Sequence, residues 1–306
     1  MSISANLVKE LREKTNAGMM DCKKALQETQ GDFEQAIDWL RKKGLASAAK
    51  KADRVAAEGV VAALVANSNK TAVLVEVNSE TDFVAKNDNF RAFVAEIAEI
   101  VASGNAAPAS VETLLSMSSK AGLKLDEALK EIIAKIGENL VIRRFQRVDT
   151  KGFAHTYIHG DGKIGVLVEL NTTANNDLIK TLANDICLHV AAMNPLALSR
   201  DEVPAEVVAK EKEVLKAKAL EQGKKAEMLD KIIEGQINKF LAESCLLDQA
   251  FVKNPDIKVK DYIKEVATKA GSEVSIKQFV RFNLGEGIEK KSTDFAAEVA
   301  AQVKGH

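Results

Sequence analysis

The sequence predicts an α+β protein assembled from several modules: an N-terminal three-helix bundle, a core of two related β-β-α subdomains, a protruding antiparallel helical hairpin and a C-terminal helical module. Three observations carry this. Long stretches rich in alanine, leucine and lysine, with only 5% aromatic residues, favour helices. Two β-branched runs, TAVLVEV and IGVLVEL, stand apart from those stretches in nearly the same context. The chain of 306 residues exceeds the usual size of one compact domain.

Residues 1 to 43 read as three short helices. Val8 and Leu11 give the first an apolar side, and Thr15-Asn16-Ala17-Gly18 breaks it. The second runs from about Met19 to Glu28, with Cys22, Ala25 and Leu26 facing inward. Gly31-Asp32 supplies the next break and start, after which Phe33, Ile37, Trp39 and Leu40 recur near helical spacing up to Gly44. Roughly 45 residues bury only a small core, which suits a three-helix bundle. The stretch GLASAAKKADRVAAEG lacks a large apolar stripe and reads as a linker with helical tendency, so the first module spans 1–54.

The pattern then changes to strands. VVAALVA and TAVLVEV flank the turn residues Asn67 to Lys70 as a hairpin. Helical periodicity returns at Phe90, Phe93, Val94, Ile97, Ile100 and Val101. A second helical region follows the Gly104 to Pro108 loop, with LDEALKEIIAKIG closing at Gly137, and VIRRFQRV reads as another strand. These elements form a first core subdomain, 55–148.

The same grammar recurs. KTAVLVEVNS at Lys70 to Ser79 aligns without gaps to KIGVLVELNT at Lys163 to Thr172, an offset of 163 − 70 = 93 residues. Each is preceded by a strand and turn and followed by a helix. The second copy makes a core subdomain at 149–202, and neither copy is large enough to bury its sheet alone. The repeat also serves as an internal control. Asp82 and Phe83, in SETDFVAKN, correspond to Asn175 and Asn176, so the scaffold does not itself require an acid and an aromatic at that corner.

Beyond Pro204, Val207, Val208, Val214, Leu215 and Leu220 mark one long helix. Met228, Leu229, Ile232, Ile233, Ile237, Phe240 and Leu241 mark another, with Gln222-Gly223-Lys224 between them. Heavy Lys and Glu content around narrow apolar seams predicts a helical hairpin at 203–251. The remainder, 252–306, returns to the core through QFVRFNLGEG, a strand and turn. It ends in a helix within STDFAAEVAAQV, capped by Ser292 or Thr293.

Charge and composition narrow the function. Lys+Arg 43 against Asp+Glu 44 gives a formal net charge of −1, which removes the general electrostatic argument for a phosphate-backbone binder. The start, MSISANLVKE, lacks the apolar region of a secretory signal, and no window reaches the roughly 18 apolar residues of a membrane span. A cytoplasmic protein with no membrane partner is expected. Cys22, Cys187 and Cys245 are an odd number without CxxC spacing and read as reduced packing thiols. His155 and His159 lie on a strand, too far apart along it for an easy shared metal. GDGKIG lacks the GxxxxGK[ST] spacing and reads as a turn. No Ser-His-Asp or Cys-His arrangement can be argued, so neither an enzyme nor a cofactor or metal site is expected; the alternative, an enzyme with an unrecognised carboxylate site, would show itself as turnover of nucleotide by the isolated protein.

LREKTNAGMMDCKKAL at Leu11 to Leu26 and EVNSETDFVAK at Glu76 to Lys86 resemble the two signature segments of the bacterial elongation factor Ts family. The resemblance extends over essentially the whole chain, and it makes the N-terminal bundle similar to ubiquitin-associated domains. It implies a guanine nucleotide exchange factor for the GTPase elongation factor Tu. It further implies that Phe83 wedges near the Mg²⁺ site of the partner's nucleotide domain while Asp82 disturbs the hydrogen bonds that position the ion. Met19 and Met20, with Ile136, would pack against a helix of the partner, Arg12 would add a polar contact, and His159 would lie near another of its domains. The C-terminal helix, from about Thr293 to Val303, would dock on the nucleotide domain.

Each of these residues also has a plainer reading. Thr81 can cap a helix whose first turn carries Asp82, with Phe83 packed inward; either methionine can be core; periodicity makes Ile136 a core residue; and His159 can be an idle hairpin-end histidine. A separate alternative is an RNA-associated translation protein using Arg143, Arg144 and Arg147 on a strand. Against it, those arginines can be a salt-bridged sheet edge, and few aromatics interleave them for base stacking. The helical arm can either self-associate or contact a partner.

Overall fold

A computed structural model describes residues 3–15, 17–222 and 226–289. The expected C-terminal helix at Thr293 to Val303 lies outside the described residues.

The N-terminal bundle comprises α1 (Ala5–Thr15), α2 (Met19–Glu28) and α3 (Phe33–Lys51). Val8, Leu11, Cys22, Ala25, Leu26 and Ala36 form its buried core, with Phe33, Ile37, Trp39 and Leu40 packed around them. Asp32 caps α3 by accepting from the Gln35 N–H at 2.9 Å. The expected end of this helix at Gly44 is corrected: α3 continues to Lys51 and takes in the first half of the predicted linker. Packing against α7 (Leu125–Ile136) explains the difference. A Cβ placed on Gly44 would sit 3.1 Å from the Ala134 Cβ. The glycine is therefore a point of close helix approach that outweighs its weak helix propensity.

Strands β1 (Glu58–Ala66), β2 (Thr71–Ser79) and β3 (Leu140–Asp149) form one sheet in the order β1-β2-β3. The turn between the first two places Asn67, Ser68 and Asn69 at positive φ, a conformation that Asn accepts more readily than most residues. Between β2 and β3 lie α4 (Asp82–Ala85), α5 (Asp88–Ala102), α6 (Val111–Leu115) and α7. Phe90, Phe93, Val94, Ile97, Ile100 and Val101 are all buried on α5, in agreement with their spacing.

The second sheet has the order β4-β5-β8, from β4 (Phe153–His159), β5 (Ile164–Asn171) and β8 (Ser275–Asn283). β4 and β5 are antiparallel, with Phe153 opposite Leu170 and His159 opposite Ile164. Helix α8 (Asp177–Met193) covers them, and Phe153, Val166, Val168 and Leu170 meet Ile179, Leu182 and Ile186 in one core. The short antiparallel pair β6 (Ala250–Phe251) and β7 (Asn254–Lys258) and helix α11 (Val259–Ala270) were not legible as separate elements, but they complete this core through Phe251, Val259 and Ile263.

The repeat extends to a buried charge. Glu76 on β2 and Glu169 on β5 occupy equivalent positions, and both side chains are almost wholly buried. Glu76 accepts from Arg143 Nη1 at 2.9 Å, Arg144 Nε at 2.5 Å and the Gly285 N–H at 2.9 Å. Glu169 accepts from Lys277 Nζ at 3.0 Å and Gln278 Nε2 at 2.6 Å. Burial pushes both carboxyls up, but the donors outweigh it and hold each below the usual carboxylate range.

Helices α9 (Ala205–Glu221) and α10 (Ala226–Ser244) pack on each other through Ala219, Leu229, Ile233 and Ile237, with Val208, Leu215 and Leu241 flanking. Two expected seam residues are corrected: Val214 and Leu220 are 54% and 52% exposed. The small Ala219 takes the buried place beside them, because only one narrow face of α9 meets α10.

By compactness the chain divides into two units, one within Met1–Ala62, Val75–Phe145 and Asn283–His306 and the other within Ala63–Leu74 and Gln146–Phe282. Among the described residues no helix is long and apolar enough to cross a membrane.

Candidate functional site

The corner after β2 turns Phe83 outward, against the reading that packs it inward. All nine residues of β2 are buried. The chain then leaves the sheet at Glu80-Thr81 and makes the single turn α4. Val84 and Ala85 take the inward positions of that turn, which leaves Phe83 pointing away. It is 79% exposed, the most exposed large hydrophobic residue described, and Asp82 beside it is also exposed. Apolar area of this kind costs free energy in water until something covers it.

The turn is braced from both sides. Beyond it, Asn87 caps α5 by accepting from the Asn89 and Phe90 N–H groups at 3.0 and 3.2 Å, and Arg91 Nε donates to the Ala85 carbonyl at 2.8 Å. Before it, Thr81 occupies the cap position, but the expected side-chain cap is corrected. Its hydroxyl donates to Glu138 Oε1 at 2.7 Å and its N–H to Glu138 Oε2 at 2.9 Å. Ser79 Oγ donates to the Thr81 carbonyl at 2.9 Å. A carboxylate offers two strong acceptors in one plane, so the Thr81 rotamer that donates to it is favoured over one in which the hydroxyl oxygen would accept from an N–H of the one-turn helix.

Glu138 reaches the corner because Gly137 ends α7 in the left-handed region at φ 93°, a conformation that costs other L-residues about 1–2 kcal/mol. The next residue returns the interaction: the Asn139 N–H donates to Glu80 Oε1 at 2.6 Å. The Asn139 side chain in turn donates to the Ala52 and Arg54 carbonyls at 3.3 and 2.8 Å, and Arg54 lies 3.4 Å from Glu80 as an ion pair. The 80–81 and 138–139 segments are thus cross-bonded. Neither Glu138 nor Asn139 was predicted as part of the site. The sequence held no local signal for them, since their partners lie 57 and 59 residues away.

The other predicted residues fall in two groups. Met19 and Met20 open α2 at 48% and 72% exposed, since Cys22, Ala25 and Leu26 already fill the bundle core. Arg12 is exposed on α1, and Ile136, half-buried, ends α7 two residues before Glu138. These residues share one unit with Asp82 and Phe83. Within it, the Gly44–Ala134 approach and an Arg41–Glu127 ion pair at 2.9 Å hold α3 to α7. His159 belongs to the other unit. It is exposed at the end of β4, with the Tyr157 hydroxyl 3.0 Å from its Nδ1.

The remaining candidates are accounted for by structure. Arg143 and Arg144 are bound to Glu76, Arg144 also pairs with Glu286 at 3.2 Å, and Arg147 pairs with Asp149 at 2.8 Å, so this strand presents ion pairs where an RNA-binding reading needs unneutralised charge. No metal-binding cluster of His, Cys, Asp or Glu occurs among the described residues. The three cysteines are free and buried. His155 is held below its ordinary value by burial, partly offset by a hydrogen bond to Asn184.

Comparison with known proteins agrees with the signature segments. A family model described as Elongation factor TS matches residues 80–286. A protein of Bdellovibrio bacteriovorus named Elongation factor Ts is 56% identical over 313 residues, covering 100% of both chains. Its namesakes from Clostridioides difficile and Syntrophotalea carbinolica are each 52% identical, covering 99% of this chain and 99% and 100% of their own. With identity above half along the whole length, and with the braced TDF corner inside the matched region, the chain belongs to the elongation factor Ts family of translation elongation factors.

Proposed function

We propose that this protein is a guanine nucleotide exchange factor, acting in the cytoplasm, that binds elongation factor Tu·GDP and promotes GDP release so that GTP can bind. The observation that carries this reading is Phe83, four-fifths exposed on a turn braced by Glu138 before it and by Asn87 and Arg91 after it. A P-loop GTPase holds GDP through backbone amides on the phosphates and through Mg²⁺ kept by a Ser/Thr and an Asp. Phe83 inserts near that Mg²⁺ site, and Asp82 competes for the hydrogen bonds that position it. The bracing matters, because a wedge that yields transmits no displacement to its target.

Met19, Met20 and Ile136 supply apolar area for a helix of the nucleotide domain, and Arg12 supplies a polar contact. His159 meets a further domain of the partner. The module boundaries at 54, 148, 202 and 251 belong to the same reading. No covalent bond is made or broken, and neither a cofactor nor nucleic acid is required. Linkage imposes reciprocity: whatever factor this protein takes from GDP affinity, GDP takes from its affinity for elongation factor Tu.

The test is release of a fluorescent GDP analogue from elongation factor Tu with and without this protein. Acceleration by the wild type, slowed in Asp82→Ala while the complex still forms, is the expected result. No acceleration from the cognate partner refutes the reading.

A further inference from the structure

We propose that Glu138 is a positioning residue of the exchange edge: its carboxylate holds the Thr81–Phe83 corner in the one conformation that presents Phe83. The assignment of a use in exchange rests on the function proposed above; the clasp itself does not. Three features carry it. Both carboxylate oxygens are spent on one residue, Thr81, at 2.9 Å to its N–H and 2.7 Å to its hydroxyl. Thr81 directly precedes the wedge, so its backbone direction sets where Asp82 and Phe83 point. The partner segment answers in kind, with the Asn139 N–H on Glu80 and the Asn139 side chain on the carbonyls of Ala52 and Arg54.

The arrangement does more than stabilise a loop. Helix starts are usually satisfied from within, by the side chain of the residue in the cap position. Here that residue's hydroxyl donates to a carboxylate two residues beyond the end of α7, 57 residues on. The orientation of Phe83 is thereby tied to the helix that ends in Ile136, so two of the proposed contact residues move as one edge. A turn of four residues has little orientational preference of its own. Without the carboxylate the exposed Phe83 samples several directions, and the productive one must be selected at each encounter.

The experiment compares Glu138→Ala, Glu138→Gln and Thr81→Val with wild type through two readouts. The first is exchange of the Thr81 amide hydrogen, followed by NMR in the free protein. The second is nucleotide release from elongation factor Tu, separated into the rate at saturating exchange factor and the concentration giving half that rate. In Glu138→Ala the Thr81 amide exchanges about tenfold faster or more, as expected for losing a hydrogen bond to a charged acceptor. The saturating rate falls about fivefold or more, and the half-saturating concentration stays within about twofold. Glu138→Gln recovers most of both, because its carbonyl accepts the Thr81 N–H while its amide donates to the hydroxyl. Thr81→Val, close to isosteric, loses only the hydroxyl bond, shows an intermediate loss, and keeps the test open if Glu138→Ala does not fold.

Unchanged Thr81 protection in Glu138→Ala overturns the clasp. Faster exchange with an unchanged saturating rate, or an equal loss in Glu138→Ala and Glu138→Gln, overturns the positioning role. If the wild type itself fails to release nucleotide, the exchange reading fails, and the Thr81 amide still decides whether the clasp exists.

Discussion

Replacing Phe83 with alanine should separate partner energetics from folding energetics. A phenylalanine buries on the order of 150–250 Å² when fully covered. At 79% exposed, Phe83 withholds about a fifth of its area from water in the free protein. At about 25 cal/mol per Å² that fifth, roughly 40 Å², is worth about 1 kcal/mol. The exposed remainder, roughly 160 Å², is worth up to about 4 kcal/mol if a partner covers it. Some of that gain is lost to ordering and imperfect fit, which leaves about 2–3 kcal/mol, or a roughly thirty- to hundred-and-fiftyfold effect. The expected outcome is therefore lopsided. Thermal unfolding followed by circular dichroism should move by a few degrees at most, while kcat/KM for GDP release from elongation factor Tu should fall at least about thirtyfold. A large loss of stability with release within about threefold of wild type would mean that Phe83 is a folding residue, and the reasoning from exposure would be refuted.

Three further predictions concern the scaffold. Asn176, the repeat equivalent of Phe83, caps α8 by accepting from the Ile179 N–H at 3.1 Å, so Asn176→Ala should cost about 1 kcal/mol of stability by urea unfolding and leave GDP release unchanged. Glu76 and Glu169 are both held below the usual carboxylate range. The folded state therefore binds their protons less readily than the unfolded chain does, and their stabilisation is present above the unfolded value of about 4.3 and lost as pH falls through the lowered folded values. Urea unfolding between pH 3 and 7 should show a steep acid limb, and Glu76→Gln should make it shallower while lowering stability at pH 7. Finally, Gly44→Val should force α3 away from Ala134, for which 3.1 Å already leaves no room. A loss of about 1–3 kcal/mol is expected, read as faster amide exchange in α3 and α7; unchanged exchange there would show that the helices part without cost.

What depends on near neighbours is legible in the order of the residues. Apolar spacing marked Leu11, Cys22 and Leu26 as bundle core and the six large residues of α5 as one buried face. β-Branched runs and turn residues marked both hairpins, and the 93-residue offset paired Phe83 with a position where no aromatic is needed. That contrast marks the corner as a candidate from residue order alone. The family followed from two contiguous segments for the same reason, because such segments keep their meaning without a fold. Contacts that span the chain come only from the folded backbone: that α3 runs through Gly44 because α7 lies against it, that Ala219 is buried in the hairpin seam where Val214 and Leu220 are not, that Arg143 and Arg144 are paired with Glu76 and Glu286, and that Thr81 gives its hydroxyl to Glu138. Periodicity reports which side of an element is apolar, since side chains three or four residues apart share a helix face and those two apart share a strand face. A carboxylate 57 residues away leaves no trace in such a pattern, because its partner is chosen by the path of the folded backbone, where an unmatched acceptor would cost more than any local preference supplies.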